Sequence, residues 1–189
     1  MIMSAIFEMN QYLVQEKFLK IFGNTFWIKD LQGNVVAYSK QKAFKLKEDI
    51  ILYTDDSMTQ PLLQIKARSV IDFGATYDVT DPATGELLGS VKRKGLKSIV
   101  RDSWKLLDVN GNQYGELIED SIAILRRFIP LIPAKYHFEI PGHPGITIHQ
   151  QFNPFMRKSI VTIPPSHPMD KRMVAAIVLL NSAIEGRQG

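Results

Sequence analysis

The sequence predicts a mainly β fold, a closed antiparallel barrel around one buried helix near its C-terminal end. Three observations lead there: a hairpin pattern that occurs three times, a train of short apolar stretches separated by turn residues, and one apolar run with no polar face.

The hairpin pattern is an aromatic residue, an Asp four positions later and a Gly three or four beyond that, followed by an apolar stretch. It occurs at Phe26, Asp30 and Gly33, at Tyr77, Asp81 and Gly85, and at Trp104, Asp108 and Gly111. An Asp that opens a tight turn bonds the backbone two residues on, and Gly supplies the positive φ that closes a hairpin. The even spacing sends the aromatic and the Asp to one side of a regular strand. Unequal intervals between the copies point to repeated hairpins in one sheet system rather than to a solenoid.

Further strands are predicted over 49–53, 62–66, 87–92, 113–118, 122–128, 136–140, 146–150 and 160–163. Turn formers punctuate them, among them Asp55, Asp56, Ser57, Pro61, Pro130, Pro133, Pro141, Gly142 and Pro144. Many short strands at near-regular spacing indicate a barrel or a sandwich.

The last segment differs. Ser166 and Pro168 offer a helix start and Gly186 a stop, which predicts a helix over 169–184. Met173, Val174, Ala175, Ala176, Ile177, Val178, Leu179 and Leu180 follow one another without a polar residue. A helix apolar all round is buried on all sides, and among strands the place that buries it is the inside of a barrel.

One domain covers 1–189, a length sufficient for a substantial core. A hydrophobic share of 45% and a charged share of 22% are those of a globular chain. The net charge of +4 names no partner. With no cysteine, disulfides and thiolate metal sites are excluded, and a cytoplasmic location is expected. Glu8 interrupts the first apolar residues before a signal-peptide length is reached, so no export signal is expected. The apolar run at 173–180 falls well short of the roughly 20 residues of a membrane-spanning helix, and no transmembrane segment is expected.

The segments YLVQEKF at 12–18 and VKRK at 91–94, the Asp-to-Gly hairpins and the closing DKRMVAAIVLLNSAIE at 170–185, taken in that order, resemble the LURP-one-related family. That family belongs to the tubby-like superfamily, which also contains the phospholipid scramblases. The resemblance implies a barrel of about twelve strands around a central C-terminal helix. The chain departs from the family pattern between residues 128 and 165, where prolines are dense, and the strand topology there stays open. Scramblase activity is expected to be absent, because there is no cysteine to acylate and the apolar helix is required as core.

Lys92, Arg93, Lys94, Lys97, Arg101 and Lys105 cluster around the Gly95 turn. Cations at a strand end can hold an anionic lipid surface or a phosphoinositide headgroup, in the general manner that the tubby resemblance implies, and can equally be a solvated tip that protects a sheet edge. Replacing Lys92, Arg93 and Lys94 together is expected to leave thermal stability unchanged. Nucleic acid is not expected as a partner, since no aromatic platform is interleaved with these cations.

Asp108, Asn110, Asn112, Glu116 and Glu119 match positions 1, 3, 5, 9 and 12 of a calcium loop. Gln113 stands where that loop needs Gly, so an ordinary hairpin is the expectation. His137, His143 and His149 lie six apart with turns between them and no regularly placed acidic partner, so no metal site is expected. No G-x-S-x-G, phosphate-binding loop, dinucleotide fingerprint or H-E-x-x-H is present. The expected function is therefore a non-enzymatic binding module without a cofactor, docking an anionic membrane surface or a protein partner. A regulatory scaffold with no small ligand is the alternative.

Overall fold

Twelve antiparallel strands form a closed circuit in the computed structural model, which describes residues 4–19, 23–41, 49–68, 75–94, 103–120, 133–151 and 156–185. A short helix α1 (Ala5–Glu8) precedes β1 (Gln11–Leu19), β2 (Gly23–Lys29) and β3 (Val35–Gln41). Then come β4 (Ile50–Tyr53), β5 (Pro61–Ala67), β6 (Thr76–Thr80), β7 (Leu87–Arg93), β8 (Ser103–Leu107) and β9 (Gln113–Glu119). Strands β10 (Lys135–Glu139), β11 (Thr147–Gln151) and β12 (Arg157–Thr162) complete the wall, and helix α2 (Lys171–Glu185) follows. Each strand pairs with its neighbours in sequence, and β12 returns to β1 to close the barrel. The topology that the sequence leaves open between 128 and 165 is this same meander. The strand predicted over 122–128 lies outside the described residues.

Period-two alternation decides what faces in. In β2, Asn24, Phe26 and Ile28 are buried, and across β3 their register partners Gln41, Ser39 and Ala37 are buried with them. The three repeated aromatics Phe26, Tyr77 and Trp104 all belong to the core. Their Asp partners open the turns: Asp30, Asp81 and Asp108 each donate their backbone N–H across the hairpin, and Gly33, Gly85 and Gly111 stand at φ +92, +73 and +85. A fourth turn of this sort, between β4 and β5, places Met58 at φ 55 in the role that Gly has elsewhere.

Helix α2 fills the barrel. Every residue from Met173 to Leu180 is at most 2% exposed, as an all-apolar helix requires. It begins two residues later than the sequence predicts. Asp170, not Ser166, caps it, its Oδ1 accepting the Arg172 backbone N–H at 2.8 Å, while Ser166 sits in the preceding turn at φ 60. Room for the helix is made at Gly89, where a Cβ would lie 2.7 Å from the Leu107 carbonyl oxygen and 3.2 Å from Met173 Cε. The α2 N-terminus lies at the end of the barrel that carries the tight turns, where Arg172 reaches Asp81 at 3.2 Å and Lys171 Nζ donates to the Glu8 carbonyl at 2.9 Å. Asn181 lies toward the opposite end, bonded to Trp104 of β8. No described helix is long and apolar enough to cross a membrane.

Candidate functional site

The cationic segment at the end of β7 does not act as one group, because strand alternation divides it. Lys92 is exposed on the outer face. Arg93 takes the inward side, its guanidinium 5.6 Å from the centre of the Trp104 ring. Lys94 Nζ lies 2.6 Å from Glu116 Oε2. Lys97 and Arg101 lie outside the described residues.

Register then extends the outer face sideways. Lys92 stands opposite Lys105, Lys105 opposite Glu116, and Glu116 opposite Glu139. The row is cationic on β7 and β8 and anionic on β9 and β10. Burial pushes the Glu116 carboxyl up, but the bonds from Lys94 and Gln113 and the charges of Lys94 and Lys105 outweigh it, holding the group below its usual range. Lys92 and Lys105 are thus like charges directly opposed, with Glu116 in register beyond Lys105.

The side chains with calcium-loop spacing do not converge. Asp108 Oδ1 accepts the backbone N–H groups of Asn110 and Asn112 at 2.9 and 2.8 Å, and its Oδ2 accepts Asn112 Nδ2 at 3.2 Å. Those bonds, the Asn112 backbone bond foremost, hold the Asp108 carboxyl below its usual range. Asp30 and Asn34 repeat the same arrangement in the first hairpin. Glu116 is on the outer face of β9 and Glu119, 9% exposed, on the inner one. Among the described residues no group of three or more His, Asp or Glu could hold a metal ion.

The histidines separate as well. His137 does have acidic partners, which sequence spacing does not reveal: its Nδ1 is 2.7 Å from Asp120 and its Nε2 3.4 Å from Glu139. His143 and His167 form a tilted ring pair with centroids 5.8 Å apart. Burial and the His143 ring lower the pKa of His167. His149 is exposed on β11.

A second polar group lies inside the barrel, at the end opposite the tight turns. Glu16 of β1 is 2% exposed, yet its Oε1 accepts Asn24 Nδ2 at 2.8 Å and its Oε2 faces Arg157 Nη1 at 3.3 Å. Burial dominates over Arg157 and pushes the Glu16 carboxyl up to about 7. Gln41, the cross-strand partner of Asn24, is 4% exposed.

The model of the LURP-one-related family matches residues 10–180. The chain belongs to the LURP-one-related family. Among solved structures, this LURP-one-related domain is similar to the X-ray structure of the Arabidopsis thaliana protein AT5G01750, at 14% identity and a TM-score of 0.54, with 93% of this chain and 91% of that chain covered. A likeness at that identity concerns the fold alone. No curated protein matches the sequence.

Within this LURP-one-related barrel the outer basic row and the inner polar group lie on opposite sides of the wall. The sequence signals the first through its run of cations. The second had a weaker signal, a carboxylate on the buried face of a strand, at the third step of the series Tyr12, Val14, Glu16. The membership of Asn24, Gln41 and Arg157 follows only from register.

Proposed function

We propose that this LURP-one-related domain is a non-enzymatic binding module that docks on an anionic membrane surface through the outer face of β7 and β8. The observation that supports it is the opposed pair Lys92 and Lys105, two outward cations that repel each other across the ladder and that an anionic surface would relieve. Each Lys or Arg close to such a surface contributes about 1 kcal/mol, so the pair gives weak, salt-sensitive attachment.

The geometry changes which substitutions test the reading. Arg93 lies over Trp104 and Lys94 is paired with Glu116, so replacing them disturbs the barrel wall as well as the charge. Lys92→Gln with Lys105→Gln removes the outward pair and leaves the Lys94–Glu116 bond and the Arg93–Trp104 contact in place. In liposome co-sedimentation the wild type is expected to bind vesicles containing phosphatidylserine, to release as salt rises, and to ignore neutral phosphatidylcholine vesicles. The double variant is expected to lose most of that binding with an unchanged melting temperature. Equal sedimentation of variant and wild type, or no sedimentation on any vesicle, would remove the membrane reading and leave a scaffold.

A further inference from the structure

Four neighbouring strands turn long polar side chains into the barrel interior at one end. Arg157, Glu16, Asn24 and Gln41 come from β12, β1, β2 and β3 in spatial order. Arg157 and Asn24 both donate to the Glu16 carboxylate, at 3.3 and 2.8 Å. The chain of bonds ends at Asn24 and does not reach the Gln41 side chain. Its amide is shielded from solvent, and neither Nε2 nor Oε1 has a hydrogen-bond partner. Buried amides in folded proteins are paired, so a side chain with donor and acceptor both open marks a place where a partner is missing.

The wall beside Gln41 is also incompletely laddered. Strands β3 and β4 share a single paired position, Tyr38 with Tyr53. From there toward Gln41 the contact continues through a side chain, the Ser39 hydroxyl donating to the Ile51 carbonyl at 2.7 Å. The open amide therefore sits next to the seam with the fewest paired positions among the described strands.

We propose that the arc of Glu16, Asn24 and Gln41 is a binding site for a small neutral molecule bearing a carboxamide-type group. Such a group carries a C=O and an N–H side by side. The C=O accepts from Gln41 Nε2 while the N–H donates to Gln41 Oε1, forming the two parallel bonds that the side chain leaves unmade. Burial selects against ions, because an ion brought into this shielded interior loses its hydration while Glu16 and Arg157 are already paired with each other. The position inside the barrel restricts the ligand to a small molecule.

The test uses the full chain labelled with 15N, with acetamide, acetate and methylammonium as probes. Acetamide is expected to shift the Gln41 side-chain NH2 resonances saturably and to show intermolecular NOEs from its methyl group to Gln41 or Asn24. Acetate and methylammonium are expected to do neither. Gln41→Met keeps the length of the side chain and removes the amide, and should weaken the acetamide response at Asn24 at least tenfold. The wild-type NOEs decide the matter independently if that variant does not fold. No saturable acetamide shift, an undiminished response in Gln41→Met, equal responses to the two ions, or NOEs from the Gln41 amide to bound water alone would each overturn the proposal.

Discussion

The Trp104 indole N–H donates to Asn181 Oδ1 at 3.0 Å, joining the barrel wall to the helix inside it across 77 residues of sequence. Both residues are buried, at 1% and 5% exposure, so water cannot replace either partner. Asn181→Ala leaves the indole donor unpaired in the core and is expected to cost about 1–3 kcal/mol in chemical denaturation. Asn181→Asp retains an acceptor but buries a charge, so its cost should grow as pH rises and the carboxyl ionises. A loss below a few tenths of a kcal/mol for Asn181→Ala would show that the bond contributes nothing net.

Leu180→Ala tests the filling of the barrel. Leu180 is 1% exposed and belongs to a core cluster that unites strands and helix. Truncation leaves a cavity between the helix and the closed wall of strands around it, for an expected loss of about 2–5 kcal/mol in urea unfolding. A surface-like loss would mean that the helix can be displaced.

Gly89→Ala approaches the same contact from the wall. At φ +152 with the Leu107 carbonyl 2.7 Å from the added carbon, the backbone of β7 or the Met173 side chain must shift. The expected loss is about 1–3 kcal/mol, and Met173→Ala in the same chain should not restore it, because the nearer obstacle is backbone. Restoration by the second substitution would assign the clash to the thioether instead.

Glu16 makes stability depend on pH in a direction opposite to that of most carboxylates. Its folded pKa, about 7, lies above the usual 4.5, so the native chain holds the proton more tightly than the unfolded one. Between roughly pH 4.5 and 7 the folded state therefore binds more protons, and this group's contribution is lost as pH rises through that window, by on the order of 3 kcal/mol. Glu16→Gln should flatten the decline in melting temperature over that window and melt higher than the wild type at pH 8. Parallel pH profiles for the two proteins would show that Arg157 keeps the carboxylate ionised throughout.

How far the sequence discloses this barrel depends on whether a feature is local. Asp30 with Gly33, Asp81 with Gly85 and Asp108 with Gly111 are legible because the turn chemistry sits within a few residues. The β4–β5 turn is not seen as a fourth copy, since Met58 adopts the left-handed conformation without being glycine. The apolar run of α2 announces its burial, whereas its start is read two residues too early because Ser166 and Pro168 mimic a cap that Asp170 provides. Period-two alternation already implies that Lys92 and Arg93 point apart. The inner arc is beyond sequence reasoning for a different cause: Glu16, Asn24 and Gln41 stand on three strands, and only closure of the barrel between β12 and β1 adds Arg157 to them.

The order of elements sets the order of assembly. Eleven of the twelve strand pairings join neighbours in sequence, and such ladders form early because little chain must be ordered to make them. The hydrophobic axis, however, is supplied by α2, which follows every strand. During synthesis the ladder must therefore persist as a curled sheet with its apolar face uncovered, and the pairing of β1 with β12 can seal only once the helix has been delivered. For this molecule the moment of greatest exposure to chaperones and to aggregation falls in the interval of synthesis between the last strand and the helix that completes the barrel.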